Sequence, residues 1–242
     1  MSYFESRLKV DFENIVQIKN KLNFCHLLGI KNLILEPTNN IKSITTELKD
    51  RIEKITSINL YYRFNLKPRS LNEFKNILRN YIKFPHILSI ESSNKEIQIQ
   101  AAKDSRIDII SFSDQELMKT ISPGVISLTK QNKSFIEFSL ASIMVNNKAI
   151  QSKNFRNLYR FIQMVLGLKA NYVISGNFEE VYNLRHPRAL ISICHTLLGM
   201  PIIKAKRGFY ENVLRLINKA QSRLDKDFIE QGVRLLKGGD EK

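Results

Sequence analysis

Continuous apolar runs alternate along this chain with stretches in which apolar residues recur every three or four positions. The runs read as buried strands at residues 4–10, 31–36, 58–66, 86–90, 107–112, 135–140 and 172–174. Between the first two strands, Ile15, Ile18, Leu22 and Cys25 share one helical face, with Asp11 as N-cap and Gly29 as stop. Ile44, Leu48, Ile52 and Ile55 mark the next helix, capped by Ser43, and Leu71, Phe74, Leu78 and Tyr81 a third, capped by Ser70. Residues 95–102 predict a helix, and residues 115–130 predict two pieces parted at Pro123-Gly124. Phe155, Leu158, Ile162, Val165 and Leu168 mark a long helix. Arg185-His186-Pro187-Arg188 then opens a helix that stops near Gly199. Residues 201–205 read as a last strand, and Val213, Leu216 and Ala220 as a helix. Phe228, Val233 and Leu236 suggest a final helix before a polar Gly-Gly-Asp-Glu-Lys tail.

Strands that are apolar throughout must be covered on both faces, which argues for a parallel sheet wrapped by helices. Seven or eight strand–helix units in about 220 residues predict a TIM-barrel-like (β/α) barrel of mainly parallel strands with a C-terminal helical extension. A doubly wound open sheet is the alternative. The expected domain is residues 1–220, with the C-terminal helix and tail at 221–242 docked on it. No repeat beyond this alternation is present.

Composition narrows the class. Of 242 residues, 43% are hydrophobic and 25% charged, as in an ordinary globular protein. The net charge of +15 is not ordinary, and it favours a polyanionic partner, nucleic acid or an acidic membrane surface. Cys25 and Cys194 sit in apolar helical patterns and read as buried thiols in a reducing compartment. The first residues, with Glu5 and Asp11, lack an apolar signal core, and no run reaches the roughly 18 residues of a membrane span. A cytoplasmic protein is expected.

The charge is unevenly placed. Residues 117–210 carry 13 Lys and Arg against 3 Asp and Glu, and residues 138–178 contain no acid. A merely solvated surface mixes its signs, so this asymmetry points to a partner. Lys153, Arg156 and Arg160 lie on the long helix; Arg185, Arg188, Lys204, Lys206 and Arg207 follow it. Arg63, Lys67 and Arg69 cluster where the third strand ends. Proline suits the first helical turn, but two arginines there oppose the helix dipole. Free N–H groups, the dipole and two guanidinium groups together suit a phosphate. Alternatively, Arg185 or Arg188 pairs with Glu179 or Glu180. Local chemistry leaves these two readings equal, and nine basic residues against two acids between Lys153 and Arg207 favour the first.

No catalytic site is evident. Barrels place chemistry at the C-terminal ends of their strands, here Glu36, Glu91, Asp114 and Ser175. A metal hydrolase needs paired histidines near the first strand, where this chain has none. His26, His86, His186 and His195 lack ligand partners at usable spacing. There is no nucleophile elbow, P-loop or dinucleotide fingerprint. Glu36 and Glu91 either pair in the barrel mouth or, more commonly for such residues, cap their strands.

The stretch from residue 172 to 206 resembles the ribonuclease P protein component 3 family, the archaeal counterpart of the eukaryotic 30-kilodalton subunit. It has a strand ending in small residues (Ser175-Gly176), a glutamate (Glu179 or Glu180) and an Arg-x-Pro-x pattern at Arg185 to Arg188. The helix then ends in Leu198-Gly199 and is followed by Ala205-Lys206. The βα succession and Phe138-Ser139-Leu140 give weaker support, and the similarity spans residues 3–217. The family commonly has an acid soon after the Arg-x-Pro, where Ala189 stands, and a second serine in the turn, where Gly176 stands. The resemblance implies a barrel related to metal-dependent phosphoesterases without their ligands. It also implies membership of a ribonucleoprotein that removes 5′ leaders from precursor tRNA. The implied partners are ribonuclease P RNA, protein component 2, other protein subunits and, in the holoenzyme, precursor tRNA. Catalysis would belong to the RNA with its magnesium, and no cofactor to the protein itself. The other reading is an independent metal-dependent phosphoesterase, with strand-end acids holding metal. Peripheral membrane binding lacks a basic amphipathic helix with exposed aromatics.

Overall fold

The computed structural model describes residues 2–39, 43–82, 84–224, 228–230 and 233–234. Its order is β1 (Phe4–Val10), α1 (Ile15–Leu27), β2 (Asn32–Pro37), α2 (Thr46–Glu53), β3 (Asn59–Leu66), α3 (Leu71–Leu78), β4 (Ile87–Ile90), α4 (Lys95–Lys103) and β5 (Ile109–Phe112). Then come α5 (Gln115–Lys119), α6 (Pro123–Gln131), β6 (Phe135–Ser139), α7 (Lys148–Gly167), β7 (Tyr172–Ser175), α8 (Pro187–Thr196), α9 (Ile202–Gly208) and α10 (Glu211–Ser222). The seven strands form one parallel sheet in chain order, which curls into a nearly closed TIM-barrel-like fold. The expected barrel is therefore observed, with seven strands among the described residues.

The seam between β1 and β7 is made differently from the other joins. One parallel bridge links Leu8 to Phe178. Ser6 Oγ donates to the Ile174 carbonyl at 2.8 Å, and the Gly176 amide donates to the Glu5 carboxylate at 2.9 Å.

Alternation along the strands fills the interior in layers. Phe4, Ile34, Tyr61, Ile87, Ile109, Phe135 and Val173, one per strand, form an apolar floor against Val213, Leu216, Ile217 and Ala220 of α10. Helix α10 thus plugs the N-terminal end of the barrel. Two residues further along, or three on β1 where a bulge adds one, stand Arg7, Glu36, Arg63, Ser89, Ser111, Glu137 and Ser175. This second ring is entirely polar.

Local sequence explains the helix starts. Asn14, Thr45, Ser70, Asn94, Asp114, Ser122 and Asn147 each accept a hydrogen bond from a first-turn amide. Asn14 and Thr45, rather than Asp11 and Ser43, cap the first two helices, and Pro123 opens α6 instead of merely dividing two pieces.

Two expectations are corrected. Residues 202–205 lie in a helix that Pro201 precedes as N-cap, because Ala205 and Gly208 face the core while Lys204, Lys206 and Arg207 face solvent, a helical rather than alternating division. The final helix expected through Phe228, Val233 and Leu236 is not formed by the described residues there. Phe228–Glu230 and Val233–Arg234 pair as short antiparallel strands. Leu236 and the polar tail lie outside the described residues.

Candidate nucleic-acid interface

Three consecutive helices, α7, α8 and α9, contain no aspartate or glutamate. They pack beside β6 and β7 and carry most of the expected basic residues. Asn147 caps α7, whose apolar face (Leu158, Phe161, Ile162 and Val165) is buried while Lys153, Arg156 and Arg160 are exposed. Tyr159 lies against Gly199, where a Cβ would sit 2.9 Å from its ring. Gly199 itself has a left-handed φ of 64°, which ends the α8 segment as the sequence indicates.

The start of α8 differs from the expected open anion site. His186 occupies the N-cap, and its Nδ1 accepts from the Arg188 amide at 2.9 Å. Burial, together with the neighbouring Arg188 charge, lowers the His186 pKa, which keeps that acceptor available. Arg185 donates from Nη1 to the carbonyls of Tyr182 and Leu184 at 2.7 and 2.8 Å. Neither Arg185 nor Arg188 pairs with Glu179 or Glu180; among the described residues, Glu179 meets Lys9 instead, at 3.7 Å. Arg188 lines a cavity of about 310 Å³ with Lys31, His186, Ser2 and Tyr3, at the N-terminal end of β1 and β2.

The eleven expected residues do not form one patch. Lys204, Lys206 and Arg207 are exposed on α9, with Arg207 Nε 3.1 Å from Glu211. Lys67 and Arg69 are exposed after β3, on the far side of the barrel from α7 to α9, and Lys67 Nζ lies 3.3 Å from Glu91.

Arg63 is a correction. It is fully buried in the second ring, where it donates to both Glu137 oxygens and to Ser89. A guanidinium in that position cannot reach a phosphate. Its partner Arg7 donates to Glu36 at 2.7 Å, Glu91 at 2.8 Å, Ser111 at 3.1 Å and Glu137 at 3.2 Å. Glu36 completes the ring at 3.0 Å from Arg63 Nε.

Burial acts to raise the Glu137 pKa, but Arg63 and Arg7 outweigh it and hold the carboxyl at about 2. Glu91 is likewise opposed by burial and drawn well below the usual carboxylate range by Arg7 and Lys67. Burial works against the charge of Arg7, which Glu36, Glu137 and Glu91 stabilise strongly enough to raise its pKa. Glu5 behaves oppositely. Burial pushes it up to about 7 despite amide donors from Gly176 and Arg7. Three carboxylates already face Arg7, Arg63 and the edge charge of Lys67, so a fourth would lack a counter-charge.

Sequence reasoning missed this ring. Its signal was present as one polar residue within, or directly after, each apolar run, a recurrence that strand-by-strand alignment exposes. The donor set also tests the phosphoesterase reading. Glu36 and Glu91 are tied to guanidinium groups, and among the described residues no three His, Cys, Asp or Glu side chains gather to hold a metal. The residues present do not fit such a centre.

Known structures share this architecture. An archaeal ribonuclease P solved with mature tRNA contains a chain with a TM-score of 0.79 and 14% identity, covering 98% of this chain and all of the other. The ochratoxinase of A. niger aligns with a TM-score of 0.63 and 9% identity over 89% of this chain and 71% of its own. A variant organophosphorus hydrolase from Deinococcus radiodurans aligns with a TM-score of 0.53 and 10% identity over 92% of each chain. These likenesses establish the fold. No curated protein matches the sequence significantly. The family described as RNase P subunit p30 matches residues 4–225, from the first barrel strand to just past the plug helix, and the chain belongs to that family.

Proposed function

We propose that the chain is an RNA-binding protein subunit of ribonuclease P, the ribonucleoprotein that removes 5′ leaders from precursor tRNA. The observation that carries this reading is the family match over nearly the whole barrel. The acid-free surface of α7 to α9 supports it. Lysines and arginines there meet phosphates of the folded RNA, reduce repulsion between its packed helices and favour its active conformation. Arg185, Arg188, Lys153, Arg156, Arg160, Lys204, Lys206 and Arg207 serve this contact, with Lys67 and Arg69 a separate, smaller one. The RNA supplies the chemistry with its bound magnesium, and the protein works in the cytoplasm beside protein component 2 and the other protein subunits. No helix among the described residues is long and apolar enough to cross a membrane.

The test is reconstitution. Adding the protein, alone and with its sister subunits, to ribonuclease P RNA should stimulate precursor-tRNA cleavage at modest magnesium. Absence of stimulation in every combination defeats the reading.

A further inference from the structure

The acid-free face carries a feature that phosphate binding does not use. Around the turn between α8 and α9, Leu197 is 59% exposed, Ile203 64% and Ile202 37%, with Tyr159 of α7 (45%) lying against Gly199 in the same turn. The turn is firmly built. Leu198 and Met200 are buried on either side of Gly199, His195 Nδ1 lies 2.8 Å from the Met200 carbonyl, and Gln163 of α7 donates to the Leu198 carbonyl at 3.4 Å. Four exposed apolar side chains therefore stand on one ledge, and Arg156, Arg160 and Lys204, on the same α7 and α9 helices, are exposed as well.

We propose that this ledge docks a protein subunit whose surface presents aliphatic side chains bordered by carboxylates. The inference rests on the ribonucleoprotein reading and goes beyond it by assigning a surface. Folded RNA offers phosphates, hydroxyls and base faces, which select cationic and aromatic side chains. Leucine and isoleucine gain nothing from a phosphate, whereas grouped exposure of such residues marks protein association. Charge selects the kind of protein. None of the three helices forming the ledge has an acidic residue, so its basic border, which the ledge shares with the edge of the RNA contact, also seeks acids from the partner. A second copy of this chain is a poor occupant, since it brings the same basic border and a net charge of +15.

The test uses the full chain with Leu197→Glu and Ile203→Glu together. Both positions are exposed, so the variant should fold, and its melting curve checks this. The purified ribonuclease P protein subunits are tested one at a time for co-elution without RNA, and affinity for ribonuclease P RNA is measured separately. At least one subunit should bind the wild type and bind the double variant at least tenfold more weakly. RNA affinity, lowered only by the two added charges, should stay within about threefold. Leu27→Glu, at an exposed apolar position on α1, should leave both unchanged. Undiminished co-elution, or RNA affinity falling as far as protein affinity, overturns the proposal. So does a wild type that binds no subunit, in which case the separate RNA measurement still decides the functional reading.

Discussion

Arg63 and Glu137 face each other across the barrel interior as a two-point ion pair, Nη1 to Oε1 at 2.6 Å and Nη2 to Oε2 at 2.7 Å, both fully buried. The pair joins β3 to β6, strands that are not neighbours in the sheet. Around it, Arg7, Glu36 and Glu91 extend the contact to β1, β2 and the residue after β4. Where a barrel enzyme keeps side chains free for a substrate, this interior spends them on one another. The charged ring is a structural core.

Arg63→Met should therefore behave as a stability mutation. Removing one member of a buried pair leaves the other uncompensated, at a cost of about 3–5 kcal/mol. Urea unfolding of Arg63→Met and Arg7→Met should show this loss, with the larger effect at Arg7, which meets three carboxylates. Whatever folded Arg63→Met remains should bind RNA with the wild-type salt dependence. A normal midpoint for Arg63→Met would place its side chain outside the barrel.

Glu5 makes stability depend on pH in the opposite sense to its neighbours. Its folded pKa of about 7 exceeds the unbound value of 4.5, so the folded state holds the proton more tightly. The stability this confers is full below pH 4.5 and is lost as pH rises through 7, by about 3 kcal/mol. His86, lowered to about 4 by burial and by the charges of Lys49 and Arg223, acts over an overlapping range with the other sign: stability is lost as pH falls from 6.5 to 4. Comparing the wild type with Glu5→Gln at each pH cancels that contribution. The stability difference should move against the wild type between pH 4.5 and 7.5, and a pH-independent difference would show that Glu5 does not titrate in this range.

The barrel was legible because its strands are uninterrupted apolar runs and its helices carry clear caps, as at Ser70. The errors have physical causes. Residues 201–205 contain β-branched Ile202 and Ile203, yet packing of Ala205 and Gly208 against β7 settles them as helix; Gly208 is so close to Ile174 that a Cβ would sit 2.6 Å away. Arg63 read as a surface residue because its neighbours Lys67 and Arg69 are exposed, whereas its position on β3 points it inward. Glu36 and Glu91 looked like separate strand caps, since nothing local shows that Arg7, far away in sequence, reaches both. Pairings across a barrel join residues too distant for spacing rules to detect.

Gly176 closes the seam. A Cβ there would lie 2.4 Å from the Phe178 ring and 2.6 Å from Glu5 Oε2, which explains why glycine stands in the turn. Gly176→Ala should disturb both the Phe178 packing and the amide bond to Glu5, with a loss of about 1–3 kcal/mol from overpacking. Equilibrium unfolding measures it. Gly124→Ala, with open space around its Cβ, is the control and should change little.

Arg188 offers a direct test of the RNA-facing surface. Its side chain is exposed and has no carboxylate partner among the described residues, so Arg188→Gln removes a charge without breaking an ion pair. If it meets one phosphate, the slope of log affinity against log salt should shrink by about 0.7–0.9. Ala189→Glu should separate stability from binding at the same helix start. A negative charge in the first turn favours the helix dipole by about 0.3–1 kcal/mol, while it opposes a phosphate at Arg188. A variant that melts slightly higher and binds RNA more weakly is the expected result. RNA affinity and salt slope unchanged in both variants would move the contact away from α8, leaving Lys153, Arg156 and Arg160 of α7 as the residues to test next.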